Sequence, residues 1–462
     1  MFFKAIKTPG IAHNAYLLGV DGVGIVVDPR RDVQEYLKLA QDNDLTIGYV
    51  LETHRQEDFM LGSAELRRIT GAQVVAFDHA LFAHADQKLS DGQEIEIGSM
   101  RFRALHTPGH TPESVSWAAF LKESPDLAWA VFTGDALFIG ETGRTDLPDP
   151  DRTDENAGLL YDAIHHKVAP LGDQTLLYPA HGSGSVCGGK IAARDQSTLG
   201  LEKKTNPVFK LDRKAFIEHK LHERLPRPPH FRTMEKANLE GGLPPGLHPS
   251  AIRLLQPRDF EKASRDGLVI DARLPEAFAG GHLPGSFSIW LDGLPIFGGW
   301  VADDRSPVYL VVDGPEDLEA AVLHLERIGV DTIAGQLAGG FEAWRDAGCP
   351  IEESGTITPT DLSRHLDDYH VLDVRDVTEF EDDGHIKGAQ HIYVGGLEKH
   401  LDEVRARTNG HTVAVICNVG HRASLAVSIL RRGGFQKVTN VLGGMKAWRK
   451  LQLPLEKGAV KA

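Results

Sequence analysis

The stretch YVLETHRQED, residues 49–58, places an apolar strand pattern directly before a histidine and acidic residues. Functional side chains usually gather where a strand ends in a polar loop. Three further stretches also follow strand-like runs: LHTPGHT at 105–111, FTGDA at 132–136 and YPAHG at 178–182. We therefore expect residues 1 to about 200 to form an α/β layered domain in which four strand ends bring polar side chains together.

The composition is typical of a globular chain with several domains. Its 462 residues exceed one core of ~100–200 residues, so we expect about three domains. Hydrophobic residues make up 41% and charged residues 25%, and no run approaches the ~20 apolar residues of a membrane span. The first residues contain no apolar core of signal-peptide length, so we place the protein in the cytoplasm, away from membranes.

Charge and cysteine content argue against two further classes of protein. A formal net charge of −15 makes nucleic acid an unsuitable partner, because phosphate binding needs a concentrated basic surface. The three cysteines, Cys187, Cys349 and Cys417, are odd in number and widely spaced. This pattern argues against a disulfide framework and for a reducing compartment in which a thiol can be reactive. A homo-oligomer is compatible with the sequence, but no pattern specifies one.

An internal repeat follows the first domain. VIDAR at 269–273 matches VLDVR at 371–375, and GGFEAW at 339–344 matches GGMKAW at 443–448. Before the repeat, a basic, proline-bearing stretch runs into GGLPPG at 241–246, which is typical of a linker. The predicted organisation is a first domain at 1–236, a linker at 237–250, and two copies of one α/β module at 251–354 and 355–462.

The four strand-end stretches together resemble the metallo-β-lactamase superfamily, which implies an αββα sandwich. In dinuclear members the first stretch reads His-x-His-x-Asp-His. One metal takes both leading histidines and the histidine of the second stretch, and the other metal takes the Asp and the final His. In this chain Gln56 replaces the second histidine and Phe59 replaces the last one. Each metal of a dinuclear pair would lose an imidazole, which argues against a dizinc hydrolase site.

The retained residues, His54, His110 and Asp135, suggest a single-metal site. Two imidazoles and one carboxylate are the ligand set of a facial triad, which leaves open positions on non-haem Fe(II). These three positions match the iron ligands of the persulfide dioxygenases, a branch of this superfamily that oxidises glutathione persulfide to sulfite. The resemblance implies one Fe(II) per chain, with zinc as the alternative, and O2 bound beside the substrate.

Four other residues are candidates for the surroundings of this metal. GRTD at 143–146 is similar to a dioxygenase segment whose arginine lies near the substrate pocket, so Arg144 would hold a carboxylate or steady the persulfide. Asp58 would orient an imidazole or serve only in a turn, and His181 is ambiguous in the same way. Cys187, in a glycine-rich loop, would either carry sulfur to the pocket or be a passive small residue.

The last module contains a second kind of site. VAVICNVGHRAS at 413–424 reads as an apolar strand, a six-residue loop from cysteine to arginine, and a helix, which closely resembles the rhodanese active-site loop. Loop amides and the helix N-terminus would stabilise a thiolate or persulfide anion at Cys417. Arg422 would add positive charge for an anionic substrate. The loop residues between these two are Asn418, Val419, Gly420 and His421.

The first module lacks this chemistry. Its equivalent strand leads into DGPEDL at 313–318, with Asp313 at the nucleophile position and Leu318 at the arginine position. We therefore predict an inactive, pseudo-rhodanese domain. Cys349 has no recognisable loop of backbone donors around it and is predicted to be structural.

The domain order resembles bacterial fusions of a persulfide dioxygenase with a sulfurtransferase. It implies oxidation of a low-molecular-weight thiol persulfide to sulfite, coupled to transfer of sulfane sulfur at Cys417, with sulfite or thiosulfate as further partners. One alternative is a zinc-dependent thioester hydrolase of the hydroxyacylglutathione type with a sulfurtransferase domain. The other is a sulfurtransferase whose metal domain has degenerated.

Overall fold

Two mixed six-stranded sheets carry the four polar stretches of the first domain. The computed structural model describes residues 1–246, 248–303 and 305–458. The first sheet has the spatial order β1 (Phe2–Thr8), β2 (His13–Val20), β3 (Val23–Val27), β4 (Thr46–Leu51), β5 (Gln73–Phe77) and β6 (Gln87–Leu89). The second sheet, in chain order from one edge, contains β7 (Glu94–Ile97), β8 (Met100–His106), β9 (Val115–Leu121), β10 (Ala128–Gly134), β11 (Leu176–Pro179) and β12 (Ser197–Thr198).

The two sheets face each other and carry helices on their outer sides. Large apolar side chains from both sheets, including Tyr16, Phe102, Trp117 and Phe132, form the buried layer between them. The outer face of the first sheet packs in a second apolar cluster around Tyr36. This confirms the expected αββα sandwich. The helices are α1 (Gln34–Asp42), α2 (Ser63–Thr70), α3 (Thr153–Ala163), α4 (Leu199–Thr205), α5 (Pro207–Lys210), α6 (Arg213–Leu221) and α7 (Phe231–Asn238).

The chain divides into two compact units close to the predicted linker. Met1–Pro245 and Glu326–Gly329 belong to the first unit, and the remaining described residues belong to the second. The division after Pro245 lies inside the predicted linker at 237–250, whose Leu247 is outside the described residues, as are residues 459–462 of the last module. The two repeated modules cluster as a single unit, so the boundary between them stays a prediction. Among the described residues, no helix is long and apolar enough to cross a membrane.

The second unit contains two parallel five-stranded sheets of identical topology. The first module has β13 (Leu254–Leu255), β14 (Leu268–Asp271), β15 (Phe287–Ser288), β16 (Val308–Val311) and β17 (Ile333–Leu337), in the spatial order 13-17-16-14-15. The last module has β18 (Thr356–Ile357), β19 (Tyr369–Asp373), β20 (Gln390–His391), β21 (Thr412–Ile416) and β22 (Val438–Val441), in the order 18-22-21-19-20. The predicted pair of α/β modules is therefore confirmed.

Helices cover both sheets of the second unit. Those of the first module are α8 (Pro257–Ala263), α9 (Pro275–Gly280), α10 (Leu294–Val301), α11 (Pro315–Arg327) and α12 (Gly340–Asp346). Those of the last module are α13 (Pro359–Arg364), α14 (Val377–Glu381), α15 (Leu401–Thr408), α16 (His421–Arg432) and α17 (Gly444–Lys450). Short 3₁₀ turns lie at Pro150–Arg152, Ala169–Leu171, Pro249–Ala251, Ser264–Asp266, Leu291–Gly293, Leu366–Asp368 and Val394–His400, with a π-helical turn at Ile164–Val168.

The repeated sequences make the same contacts in both modules. In the last module the buried Arg375 guanidinium lies 2.7 Å from the Asp373 carboxylate, and Arg273 and Asp271 form the corresponding pair at 2.6 Å in the first. The Trp448 indole N–H donates to the Pro454 carbonyl at 2.9 Å, and that of Trp344 donates to Pro350 at 2.8 Å. The sequence repeat is thus a repeat of fold-stabilising contacts.

We expect Arg375→Met to destabilise the last module strongly. Asp373 and Arg375 are both fully buried, so the substitution leaves an uncompensated carboxylate in the interior. Removing one partner of a buried ion pair costs about 3–5 kcal/mol of the free energy of unfolding. Urea denaturation of the full chain, with the exposed Arg364→Met as control, measures the effect. A loss no larger than that of the control would contradict this prediction.

Candidate functional site

His54 lies in the loop after β4 and is oriented by its neighbours. Thr53 donates hydrogen bonds to Asp28 from its backbone N–H at 2.8 Å and from its hydroxyl at 2.7 Å. The same hydroxyl oxygen lies 2.9 Å from His54 Nδ1, which donates to it because the hydroxyl proton is already used on Asp28. The other ring nitrogen, Nε2, is buried and has no hydrogen-bond partner. It is therefore available as a metal ligand.

His110 and Asp135 converge on this nitrogen. His110 Nδ1 lies 2.8 Å from the backbone carbonyl of Arg144 and donates to it, which leaves Nε2 facing the site. Asp135 Oδ2 is 3.4 Å from His110 Nε2 and 3.9 Å from His54 Nε2, and it too has no hydrogen-bond partner. The structure thus brings together the three residues predicted as metal ligands, at separations that suit donors around one cation.

Glu57 joins this cluster, although the sequence analysis did not single it out. Its Oε2 lies 3.3 Å from His110 Nε2 and 3.9 Å from His54 Nε2, and its side chain is fully buried. The sequence signal was weak, since Glu57 occupies a variable position of the motif and only its charge stands out. With Glu57 the cluster has two imidazoles and two carboxylates, His54, His110, Asp135 and Glu57, all of which could contribute to a metal site.

Charge and burial act in opposite directions on these groups. Burial lowers the pKa of His54 to about 3. Burial also opposes protonation of His110, but the carboxylates of Glu57 and Asp135 raise its pKa to about 9. Burial would raise the pKa of Asp135, but the rings of His181, His54 and His110 hold it well below its usual range. The pocket therefore concentrates negative charge opposite imidazoles, which is the electrostatic setting of a cation site.

Gln56, which replaces a histidine of the dinuclear motif, does not face the cluster. Its side-chain amide nitrogen lies 3.3 Å from His54 Nδ1, on the ring edge opposite Nε2. Its backbone carbonyl accepts a hydrogen bond of 2.7 Å from Asn238 in α7. The replacement therefore removes an imidazole from a ligand position of the dinuclear motif.

We expect Thr53→Val to weaken metal binding without removing a ligand. Valine has no hydroxyl to accept the His54 Nδ1–H, so the imidazole loses its tautomer and its orientation. Loss of such an outer hydrogen bond typically costs about 10- to 100-fold in metal affinity. Competition with a chromophoric chelator measures the affinity. Thr70→Val in α2 is the control, because the Thr70 hydroxyl bonds only backbone groups, the Leu66 carbonyl and the Ala72 N–H. Equal affinities of the two variants would refute the orienting role.

A second buried cluster adjoins the first. Ligand atoms of Asp58, His181 and Cys187 all lie within 4.8 Å of one another. His181 Nδ1 is 2.8 Å from Asp135 Oδ1, so Asp135 contacts both clusters through its two oxygens. Burial raises the pKa of the Cys187 thiol, and the nearby carboxylates of Asp58 and Asp135 act in the same direction. The structure thus places Asp58, His181 and Cys187 together beside the predicted metal ligands.

Phe59, at the position of the last motif histidine, packs against another imidazole. Its ring centroid lies 4.0 Å from that of His13, a buried residue at the start of β2 whose Nε2 has no hydrogen-bond partner. His13 and His181 both line a cavity of about 660 Å³. No motif in the sequence distinguished His13, because only the folded sheet brings the start of β2 to this position.

The Cys417 loop follows β21 and ends where α16 begins. Gly420, with φ at +116°, donates its backbone N–H to Cys417 Sγ at 3.1 Å. The Cys417 carbonyl accepts from the backbone of Met445 at 2.8 Å, and the Asn418 side chain accepts from Arg449 at 2.9 Å. The sulfur therefore lies in a fixed loop at the N-terminus of a twelve-residue helix, where an anion is stabilised.

Arg422 is held beside this loop by an acidic partner. It donates to both oxygens of the Glu379 carboxylate, at 2.5 and 2.8 Å. Although burial acts the other way, Arg422 holds the pKa of Glu379 at about 2. The structure thus brings the predicted Cys417, Arg422 and the intervening loop together in one site.

Comparisons with known proteins identify the domains that contain these residues. Residues 8–181 match the metallo-beta-lactamase superfamily, and residues 256–347 and 358–451 each match the rhodanese-like domain. The chain belongs to the metallo-beta-lactamase superfamily, and two rhodanese-like domains follow its metallo-beta-lactamase domain. A metallo-beta-lactamase from Staphylococcus aureus has a similar solved structure, at a TM-score of 0.65 and 28% identity, covering 73% of this chain and 99% of that one.

Two kinds of curated relative resemble the metallo-beta-lactamase domain. The mitochondrial persulfide dioxygenase ETHE1 of Bos taurus is 29% identical over 246 residues, which is 53% of this chain and 89% of that protein. The hydroxyacylglutathione hydrolase GloC of Haemophilus influenzae is 26% identical over 205 residues, which is 40% of this chain and 86% of that protein.

Arg144 in the metallo-beta-lactamase domain is bonded within the domain, and its predicted contact with a substrate stays a prediction. Its guanidinium donates to both oxygens of Asp146 at 2.7 Å and to the backbone carbonyls of Val186, Leu225 and Pro226. These bonds use all five N–H donors and leave none for a substrate carboxylate. The side chain instead holds the Cys187 loop against the segment before α7.

In the first rhodanese-like domain the loop around Asp313 differs in shape as well as in sequence. Helix α11 begins at Pro315, two residues after Asp313, whereas α16 begins four residues after Cys417. Glu316 and Asp317 lie in the first turn of α11. The helix thus replaces the anion-binding loop with acidic residues, which is consistent with an inactive module. Cys349 is buried in the apolar core of this module.

Proposed function

We propose that the metallo-beta-lactamase domain is a non-haem iron persulfide dioxygenase and that the last rhodanese-like domain transfers sulfane sulfur. The observation that carries the first assignment is the convergence of His54 Nε2, His110 Nε2 and Asp135 Oδ2 in a buried pocket. Two of these atoms are buried without any hydrogen-bond partner, a costly arrangement that a bound cation would relieve. The residues present therefore fit a divalent metal.

The donor set favours iron over a pair of zinc ions. Gln56 and Phe59 remove two imidazoles from the dinuclear pattern, and two histidines with a carboxylate form the facial arrangement typical of Fe(II) oxygenases. The resemblance to the persulfide dioxygenase ETHE1 over most of that protein supports the same reaction. Held by His54, His110 and Asp135, Fe(II) would bind the substrate sulfur and activate dioxygen.

The residues of this chain prepare the pocket for that chemistry. Thr53 and the Arg144 carbonyl fix the His54 and His110 rings, so that both Nε2 atoms face the metal. Asp135, held by His181, presents one oxygen to the same point. The fully buried pocket excludes bulk water, which protects a reactive persulfide from hydrolysis.

The cavity lined by His13 and His181 has a size that suits a small thiol persulfide. Its volume of about 660 Å³ lies within the ~300–1,000 Å³ range of small-molecule pockets. The apolar and aromatic wall includes Phe3, Tyr16 and Tyr178, and the lining cations Lys7 and Arg194 are paired with Asp195 and Glu202. We therefore propose glutathione persulfide or a similar low-molecular-weight persulfide as substrate.

The arrangement of the Cys417 loop supports a two-step mechanism of sulfur transfer. The Cys417 thiolate attacks the outer sulfur of a donor such as thiosulfate, the donor S–S bond breaks, and sulfite leaves with the bonding electron pair. The persulfide formed on Cys417 would be an anion beside the Gly420 N–H, which already donates to Cys417 Sγ at 3.1 Å. A thiolate acceptor then takes the outer sulfur and regenerates the Cys417 thiolate. Sulfite, the proposed product of the first domain, is also able to accept this sulfur.

Thioester hydrolysis of the hydroxyacylglutathione type is the second candidate for the metal domain. The relatives named hydroxyacylglutathione hydrolase and the retained Asp58 and His181 favour it. Both candidates take a glutathione conjugate into the same cavity, so the bound metal and the reaction distinguish them.

A single comparison tests the proposal. Protein purified without oxygen is loaded with Fe(II) or Zn(II), and the metal content is measured in each sample. We expect Fe(II) protein given glutathione persulfide to consume O2 and form sulfite, and Zn(II) protein to do neither. Hydrolysis of a glutathione thioester by the Zn(II) protein, without oxygen uptake by the Fe(II) protein, would favour the hydrolase instead.

A further inference from the structure

We propose that Glu57 is a further protein ligand of the candidate metal site, a carboxylate that takes the place of the imidazole lost at Gln56. In the dinuclear motif the position of Glu57 is not a ligand, and it lies one residue after the lost histidine. The side chain is fully buried, and its Oε2 lies 3.3 Å from His110 Nε2 and 3.9 Å from His54 Nε2. Ligand atoms of these three residues all lie within 4.8 Å of one another.

The loop after β4 directs Gln56 and Glu57 to opposite edges of the His54 ring. The Gln56 amide nitrogen lies 3.3 Å from His54 Nδ1, whereas the Glu57 carboxylate lies on the side of Nε2. Asn238 in α7 fixes the loop on both sides of Glu57, because its side-chain amide donates to the backbone carbonyls of Gln56 and Phe59 at 2.7 and 2.8 Å. The Glu57 carboxylate is therefore directed at the two imidazoles by a loop that is held in place from outside the site.

The Glu57 carboxylate is poorly satisfied for a buried anion. Its Oε1 has no hydrogen-bond partner, and the Nε of Arg55 is 3.8 Å from it. Its Oε2 meets His110 Nε2, but His110 Nδ1 already donates to the Arg144 carbonyl, so a hydrogen bond at Nε2 needs a second proton on the ring. A cation in place of that proton satisfies the same two atoms and offsets the cost of the buried charge.

The separations between the four donors suit a single cation. At metal–ligand distances of roughly 2.0–2.2 Å, neighbouring donor atoms lie about 3–4 Å apart. His110 Nε2 is 3.3 Å from Glu57 Oε2 and 3.4 Å from Asp135 Oδ2, and His54 Nε2 is 3.9 Å from each of these oxygens. Each imidazole nitrogen therefore has both carboxylates as neighbours, which is the arrangement of ligands around one ion.

Exchange of an imidazole for a carboxylate changes the ion that the site prefers. The carboxylates of Glu57 and Asp135 together balance the charge of a divalent cation, whereas imidazoles balance none of it. Carboxylate ligands favour harder ions such as Mn(II), and two histidines with a carboxylate are typical of Fe(II). The inference rests on the proposed function for the presence of a metal at His54 and His110, and it gives a physical reason why this site would hold iron.

Binding of Co²⁺ to the metal-free full chain tests the ligand role. Competition with a chromophoric chelator measures the affinity, and the visible cobalt bands report the ligands. We expect Glu57→Ala to lower the Co²⁺ affinity at least about 10- to 100-fold, since even an outer hydrogen bond is worth that much, and to alter the visible bands. Glu57→Asp keeps the charge but withdraws the oxygens, so it should also lose affinity if Glu57 is a ligand.

Glu113→Gln is the matched control for these variants. Glu113 is fully buried like Glu57, and its Oε1 lies 3.7 Å from Arg55 Nε, close to the 3.8 Å of Glu57. It accepts a hydrogen bond from the Arg55 backbone N–H, whereas Glu57 contacts the imidazoles. We expect the Glu113→Gln protein to keep the wild-type affinity and the wild-type bands. Thermal unfolding of each metal-free variant shows whether it has folded before cobalt is added.

Three outcomes would overturn the inference. They are wild-type affinity with unchanged bands in Glu57→Ala, full affinity in Glu57→Asp, which would reduce the role of Glu57 to its charge, and equal losses in Glu57→Ala and Glu113→Gln. Failure of the proposed function is a separate result: iron-loaded wild-type protein would then consume no oxygen with glutathione persulfide, although cobalt binding still depends on Glu57.

Discussion

Oxygen consumption with glutathione persulfide is expected to fall at least ~100-fold when His110 is replaced by alanine. Loss of an outer-shell contact alone costs about 10- to 100-fold at metal sites, and His110 is predicted to be a ligand itself. Its Nε2 lies at the centre of the cluster, 3.4 Å from Asp135 Oδ2 and 3.3 Å from Glu57 Oε2. The substitution leaves these two buried carboxylates without the imidazole between them.

The measurement compares oxygen uptake, sulfite formation and iron content of the same samples. His222→Ala is the matched control, because His222 is an exposed histidine of the same domain that only contacts the Glu218 backbone. His110→Ala should lose iron and activity together and keep sulfur transfer at Cys417. Full oxygen uptake by His110→Ala would exclude this cluster as the reaction centre.

Sulfur transfer is expected to fall at least ~10³-fold in Cys417→Ser. Removing the nucleophile of a covalent mechanism typically costs this much or more, and serine is far less nucleophilic than a thiolate. Serine nearly preserves the size of the side chain, so the loop from Gly420 to Arg422 should keep its conformation. Oxygen uptake by the iron-loaded metal domain should not change.

Cys349→Ser in the inactive module is the control for this experiment. Cys349 is buried in an apolar core, so its replacement tests the loss of a thiol without touching the Cys417 loop. Transfer of radiolabelled sulfur from thiosulfate to a thiol measures the reaction, and mass spectrometry detects the persulfide on the protein. Persulfide formation on Cys187 or Cys349 in Cys417→Ser, with normal turnover, would relocate the nucleophile.

Local sequence patterns were sufficient to predict the architecture and the rhodanese-like loop. The repeats at Asp271 and Asp373 and at Trp344 and Trp448 predicted two equal modules, and both form the same buried pairs and hydrogen bonds. Cys417 and Arg422 lie five residues apart, so one loop contains most of that site. The sequence could not indicate that Trp290 of the first module meets His421 of this loop, because the contact depends on how two modules pack.

For the candidate metal site, sequence motifs predicted only some of the residues and contacts. His54, His110 and Asp135 were recognisable from their motifs, but Glu57 was not, since it does not occupy a ligand position of the family pattern. Arg144 lies in a recognised motif, but all its N–H groups donate to Asp146 and to backbone carbonyls. A motif records residue types, whereas the direction of a side chain depends on the surfaces packed around it.

By itself the sequence determined the sandwich and the repeated modules and indicated two kinds of candidate site, because periodicity and short motifs are local properties of the chain. Only the tertiary structure decided that Asp58, His181 and Cys187 form a second cluster and that Asp135 touches both clusters. Residues far apart in the chain meet there because separate strand ends converge at one edge of the sandwich. No local pattern encodes the resulting distances, since they follow from the packing of two sheets.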